Sequence, residues 1–380
     1  MLILDNITIV ICIILVISAL CSSLFDTFFK KMVDKEETDS AENLKPVSVV
    51  IISDNNSVEL DNNLKYFLSQ DYSAGYEIIV VVSRDEDGTA DVLKTYNKYK
   101  NLYTTFVPET SRYMSRRKLA ITLGVKAAKN DLILLTDAVC KPVSNHWIEG
   151  MSTKCGDGIN LVIGYSNYSD DTGQFKTFYR LHKEYTYMYE AFKGFAYSTY
   201  GNNLLFKKAD FMSGRGFQGN LKYVRGEYDF LVNKYSKFGS AAIAISKDVM
   251  LVEDKPSKKA WNNKNTFYFE TRKHLQRSFR HRQIFNMDVL GLYLCFILVI
   301  FSVIYSVLSA RFVILPFSFM ALVVPFISRI ICAKRVLNRF NANVSLWKVI
   351  PFELALPFSN FRFAIKYILS DKYEYISHKS

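Results

Sequence analysis

Cysteine is scarce in this chain: six among 380 residues, at 12, 21, 140, 155, 295 and 332, with no CxxC pair. Three of the six lie inside apolar runs, so neither a disulfide framework nor a cysteine zinc site is indicated. Basic residues are missing ahead of the first apolar run, which follows MLILD. A cleaved signal peptide needs a basic n-region there, so that reading is set aside. A lipoprotein site at Cys21 falls for the same reason, and bulky Leu20 precedes the cysteine. A basic stripe on a polar segment is lacking too. The formal charge is +12, and the basic residues concentrate beside the apolar runs rather than on a separate soluble stripe, which argues against a nucleic-acid binder. The runs hold one interior charge, Arg329, too little to line a transport pathway.

Long apolar runs are what the chain has. Residues 6–25 carry no charge and are just long enough to cross a bilayer as an uncleaved anchor. A second run covers 289–310 and a third 312–328, its pattern continuing to Ala333; only Arg311 separates them, as in a tight hairpin. Lys30, Lys31 and Lys35 follow the first run, RSFRHR precedes the second, and Lys334, Arg335 and Arg339 follow the third. By the positive-inside rule all three flanks are cytoplasmic, which puts residues 30–285 and the C-terminus on one side. Residues 344–369 mix Trp347, Phe352, Phe358, Phe361 and Phe363 with Lys348, Arg362 and Lys366. Pro351 and Pro357 are expected to break this stretch, leaving an interfacial segment rather than a fourth crossing. The expected division is an anchor (1–29), a linker (30–45), a cytoplasmic domain (46–285), a membrane hairpin (286–335) and a cytoplasmic or interfacial tail (336–380).

Between the membrane runs the period changes. VSVVIIS (47–53), EIIVVVS (77–83) and DLILLTD (131–137) are short, apolar and rich in β-branched residues, as in strands covered on both faces. Leu60, Leu64, Phe67 and Leu68 share a helical face after Asn56 and Ser57, and 115–130 reads as a helix before the third strand. This alternation predicts an α/β fold with a mainly parallel nucleotide-binding sheet flanked by helices. Ligands of such sheets sit at the carboxyl ends of the strands. Ser53-Asp54-Asn55, Asp85-Glu86-Asp87 and Asp137 are expected around one crevice, though acids after strands also serve as turn formers and helix caps.

PVSVVIISDNN, SQDYSAGYEIIVVVSRDEDGT, RRKLAITLGVKAAKNDLILLTDAVCKP and GNNLLFKKADFMSGRGF…RGEYDFLVNK occur in the order seen in family 2 glycosyltransferases. The chain resembles the bacterial membrane-anchored members, inverting enzymes with a type-A nucleotide-diphospho-sugar fold. The resemblance implies a nucleotide-diphospho-sugar donor, a lipid-linked or polysaccharide acceptor, and a place in the bacterial inner membrane. It assigns Asn55, one of Asp85 and Asp87, Lys118 and Asp137 to the nucleotide sugar, and Ser53 at the end of the first strand is expected beside them. Glu227 and Asp229 in GEYDF are the candidate bases, with Asp229 favoured; their alternative role is as helix N-terminal charges. Lys273 and His274 stand where QxxRW or QxxRH would clamp the phosphates.

Four positions depart from the pattern: Asn56, Val139, Tyr228 and Glu270. Val139 replaces the second carboxylate of the metal motif, so Asp137 alone would hold Mg2+ or Mn2+. The alternative is metal-free neutralisation by Arg116, Arg117 or Lys118, three residues that also suit a solvated helix face. The departures raise a second reading, a catalytically silent relative that binds a nucleotide sugar or serves as a scaffold subunit.

Overall fold

The computed structural model describes residues 5–33, 44–108, 115–156, 158–237 and 240–376. Lys35 and most of the expected linker lie outside them. The chain divides into two compact units, Met1–Lys31 with Arg277–Phe358 and Met32–Gln276 with Ser359–Ser380.

In chain order the elements are α1 (Asn6–Leu24), β1 (Val47–Asp54), α2 (Ser57–Leu68), β2 (Tyr76–Arg84), α3 (Thr89–Thr95), β3 (Leu102–Phe106), α4 (Arg116–Ala127), β4 (Leu132–Asp137), β5 (Cys140–Pro142) and α5 (Trp147–Ser152). There follow β6 (Ile159–Gly164), β7 (Ser166–Tyr168), α6 (Gln174–Phe192), β8 (Leu204–Lys207), α7 (Lys208–Ser213), α8 (Glu227–Tyr235), β9 (Ser240–Ala244) and β10 (Leu251–Glu253). The last four are α9 (Lys258–Thr271), α10 (Phe279–Leu308), α11 (Ile314–Arg339) and α12 (Val349–Leu369).

The second unit is built on a seven-stranded sheet in the order β3-β2-β1-β4-β8-β6-β9. The first four strands run parallel, β6 and β9 pair in parallel, and β8 lies antiparallel between β4 and β6. This is the mainly parallel α/β sheet that the apolar strands predict, because residues buried on both faces leave no polar face for solvent. All of β4 and all but the last residue of β1 are buried. Helix α2 turns Leu60, Leu64 and Phe67 to the core, where Trp147 meets Phe67 edge-on at 5.5 Å. Truncating Leu64 to alanine would cost about 2–5 kcal/mol. Helix α4 comes so near the sheet at Gly124 that an added Cβ would lie 2.5 Å from Val50 Cγ1. That close approach carries the N-terminus of α4 to the carboxyl edge of the strands. A smaller sheet, β5-β10-β7, begins just after β4.

The first unit holds α1, α10 and α11, helices of 19, 30 and 26 residues that are long and apolar enough to cross a membrane. Arg311, in the turn between α10 and α11, pairs with Asp5 at 2.6 Å. Arg329 is buried, with Asp288 and Glu353 each at 2.8 Å and Asp26 at 3.8 Å. Its Nε and Nη2 also donate to the Ser22 carbonyl, at 3.2 and 2.9 Å. The prolines of the tail do not break it: α12 runs unbroken through Pro351 and Pro357. Pro351 falls in the first turn, where backbone N–H groups have no helical partner anyway, and one interior proline removes a hydrogen bond without ending a helix.

Candidate active site

A cavity of about 350 Å³ opens where β1 and β4 end. Register explains the meeting: Ile52 lies beside Asp137, so Asp54 and Asp137 emerge at the same edge of the sheet. Helices α8 and α9 close the opposite wall. Gly226, the residue before α8, has φ +88°, and a Cβ there would overlap the side chain of Thr271 at the end of α9. Only glycine suits that left-handed backbone and that spacing. Glu227, Tyr228 and Asp229 are thereby presented to the cavity.

Arg117, in the first turn of α4, ties the two walls together. Its Nη2 donates to Asp137 Oδ1 at 2.7 Å, and its Nε donates to Glu227. The Tyr228 hydroxyl donates to the same Asp137 oxygen at 3.1 Å. Burial pushes the Asp137 carboxyl above its usual range, against the pull of Arg117. Burial also opposes ionisation of Glu227, but Arg117 and then Arg225 outweigh it and hold that carboxyl low. Arg225 lines the cavity, and no hydrogen bond or ion pair engages it among the described residues.

Asp229 has a different setting two residues on. The Ser198 hydroxyl donates to its Oδ1. Burial pushes its carboxyl up to about 7; Ser198 works against the rise and Glu227 adds to it. The two carboxylates that the sequence left open are therefore separated by environment. Glu227 is a fixed anion held by arginine, and Asp229 is able to take a proton near neutrality.

The other sequence-derived candidates lie elsewhere. Ser53 is fully buried in β1 and is not in the cavity wall. Asn55, with φ +56°, exchanges two hydrogen bonds with Glu86 and joins the loops after β1 and β2. Asp85 accepts from the Ala90 N–H, while Asp87 accepts from Ser57 N at 2.6 Å and Thr89 Oγ1 at 2.7 Å. Both are helix-capping arrangements. Arg116 donates to the Ser83 carbonyl at 3.1 Å. Lys118 is fully buried and donates to the carbonyls of Asn220, at 2.8 Å, and Tyr223. Lys273 bonds the Tyr367 hydroxyl, and His274 stacks on Tyr223 at 4.0 Å and meets Glu270 Oε1 at 2.9 Å. Of the ten site candidates, Asp137, Glu227 and Asp229 line the cavity.

Several cavity residues were not singled out from the sequence. Glu253 pairs with the buried Arg180 at 2.7 Å and accepts from Asn202 at 3.0 Å. Lys264 stands 4.0 Å from Glu253 and 4.3 Å from the centre of the Tyr200 ring, with burial lowering its affinity for a proton. Trp261 lies one turn earlier on α9. The signal was the alternation of bases and aromatics in KKAWNNKNTFYF, which has no fixed motif spacing.

These residues do not fit a carboxylate-held divalent ion. Val139 occupies the cavity wall where a second ligand would stand, and Arg117 is already on Asp137. No group of three or more His, Cys, Asp or Glu side chains able to hold a metal occurs among the described residues.

Similarity to known proteins agrees with the fold. The mannosyltransferase PcManGT from Pyrobaculum calidifontis, solved in complex with GDP-Man and Mn2+, superposes with a TM-score of 0.57 at 16% identity. That likeness covers 95% of this chain and 98% of the other and shows a shared fold. Glycosyltransferase AglE of Haloferax volcanii is 28% identical over 130 residues, 33% of this chain. The match spans 41% of that relative's own length. The motifs resemble family 2; the family that matches residues 11–370 is glycosyl transferase family 21. A match over nearly the whole chain makes this protein a member of glycosyl transferase family 21.

Proposed function

We propose that this protein is a membrane-anchored glycosyltransferase that moves a sugar, with inversion, from a nucleoside-diphosphate donor to an acceptor hydroxyl at the cytoplasmic leaflet. Its product belongs to a cell-surface polysaccharide or a glycolipid, and its membrane is the bacterial inner membrane. The observation that carries the reading is Asp229: a carboxylate poised near neutrality in the wall of a cavity that also holds Arg117 and Arg225. A base of that affinity accepts the acceptor's proton efficiently at cellular pH. The guanidinium groups of Arg117 and Arg225, which line the same cavity, suit a departing diphosphate. The GDP-Man of the solved neighbour supports a nucleotide-sugar donor, and the three apolar helices support the anchoring. The Mn2+ of that neighbour is the part of the likeness that this cavity fits least.

Transfer from radiolabelled UDP- and GDP-sugars to a membrane lipid extract tests the reading. Wild-type protein should turn over, and Asp229→Asn should lose activity by about a hundredfold or more while still binding nucleotide. Nucleotide binding with no turnover by the wild type would instead favour a silent scaffold subunit, a reading motivated by the capping roles of Asp85 and Asp87. The topology carries its own test. Protease added outside intact cells should leave residues 30–285 whole.

A further inference from the structure

We infer that Arg117 takes the place of a divalent ion in this site, so that the leaving diphosphate is received by the guanidinium groups of Arg117 and Arg225. The inference rests on the glycosyl-transfer reading above and specifies how the donor's charge is met.

One oxygen of the Asp137 carboxylate, Oδ1, is doubly engaged, by Arg117 Nη2 at 2.7 Å and by the Tyr228 hydroxyl at 3.1 Å. Two substitutions relative to the resembled motifs act together here. Val139 removes the second oxygen ligand, and Tyr228, in place of an acid, supplies a donor to the ligand that is left. Arg117 is fixed from both sides, because Glu227 takes its Nε. Two of its five N–H groups are thus accounted for, and a planar fork held by two carboxylates keeps others for a ligand oxygen. A metal bound by carboxylates leaves open positions for phosphate oxygens in the same way. Arg225 adds a second guanidinium in the same cavity wall. With Asp137 and Glu227 it brings the formal charge of the four groups to zero. The diphosphate therefore meets two cations whose own counter-charges are already in place.

The step balances without a metal. The acceptor oxygen bonds to the anomeric carbon as the bond from that carbon to the diphosphate oxygen breaks. The hydroxyl proton passes to Asp229, and the electron pair of the broken bond remains on the diphosphate beside the two arginines.

Calorimetric titration of the full chain in detergent with GDP and with UDP, in EDTA and in Mn2+, reads this apart from turnover. The expected affinities in the two conditions agree within about twofold. The double variant Arg117→Gln/Val139→Asp removes the cation and restores the second carboxylate, so its nucleotide affinity should become Mn2+-dependent by tenfold or more. The EPR signal of Mn2+ should then report one nucleotide-dependent bound ion in that variant and none in the wild type. A tenfold gain in wild-type affinity on adding Mn2+, or a nucleotide-dependent bound ion in the wild type, overturns the inference and leaves the transferase reading standing. Absence of nucleotide binding in either condition overturns both. If the double variant fails to fold, as judged by its thermal melt, the wild-type titrations decide alone.

Discussion

Gly226 and Thr271 are packed so closely that no side chain fits between the start of α8 and the end of α9. The glycine also has φ +88°, which an L-residue adopts only at a cost of about 1–2 kcal/mol. Overlap with Thr271 adds about 1–3 kcal/mol. Gly226→Ala should therefore lower stability by about 2–4 kcal/mol in a denaturant melt, and it should reduce transfer by displacing Glu227 and Asp229.

Activity should rise as the pH passes through about 7, where Asp229 gives up its proton. Stability should run the other way. The carboxyl binds its proton more tightly in the folded protein, pushed up from an unfolded value of about 4. Its contribution is then fully present below pH ~4 and is lost as the pH rises toward 7. Thermal melts of wild type and Asp229→Asn across this window should diverge as the pH increases, with the variant the more stable at pH 8. A difference that does not change with pH would show that Asp229 ionises normally.

Lys118→Met separates structure from binding. The methionine fills the space but leaves the carbonyls of Asn220 and Tyr223 without their donor. A loss of about 2–4 kcal/mol is expected for two unsatisfied buried acceptors. Nucleotide affinity of the folded fraction should stay within a factor of two. A selective loss of affinity with normal stability would make Lys118 a ligand-binding residue.

In the first unit, Arg329 answers three acids: Asp26, Asp288 and Glu353. Arg329→Met leaves them facing one another, and removal of one side of a buried pair costs about 3–5 kcal/mol. The detergent-solubilised variant should melt well below wild type. Arg329→Lys should recover only part of the loss, because an ammonium cannot span Ser22, Asp288 and Glu353 as the guanidinium does.

The sequence was most informative where pattern alone decides structure. Strands β1, β2 and β4 and helices α2 and α4 were legible because β-branched runs and an i, i+4, i+7 stripe permit few alternatives. Strands β6, β8 and β9 were not, since their partners lie far along the chain and no local signal names them. Asp137, Glu227 and Asp229, which motif order singles out, all line the cavity. The different settings of the two GEYDF carboxylates were not legible, because that of Glu227 depends on Arg117, more than a hundred residues away in the chain and in hydrogen-bond contact with it. Lys264 and Trp261 were missed because α9 has no motif to mark its inner face. Asp85 and Asp87 followed the commoner fate of acids after strands, as turn and helix caps.

Asp87 grips the opening turns of α2 and α3 with one oxygen each. Two crossovers thus share a single carboxylate as their common pin, and neither can swing without releasing the other. A substitution at Asp87 should therefore loosen both helix starts together, although they belong to separate strand-to-strand connections.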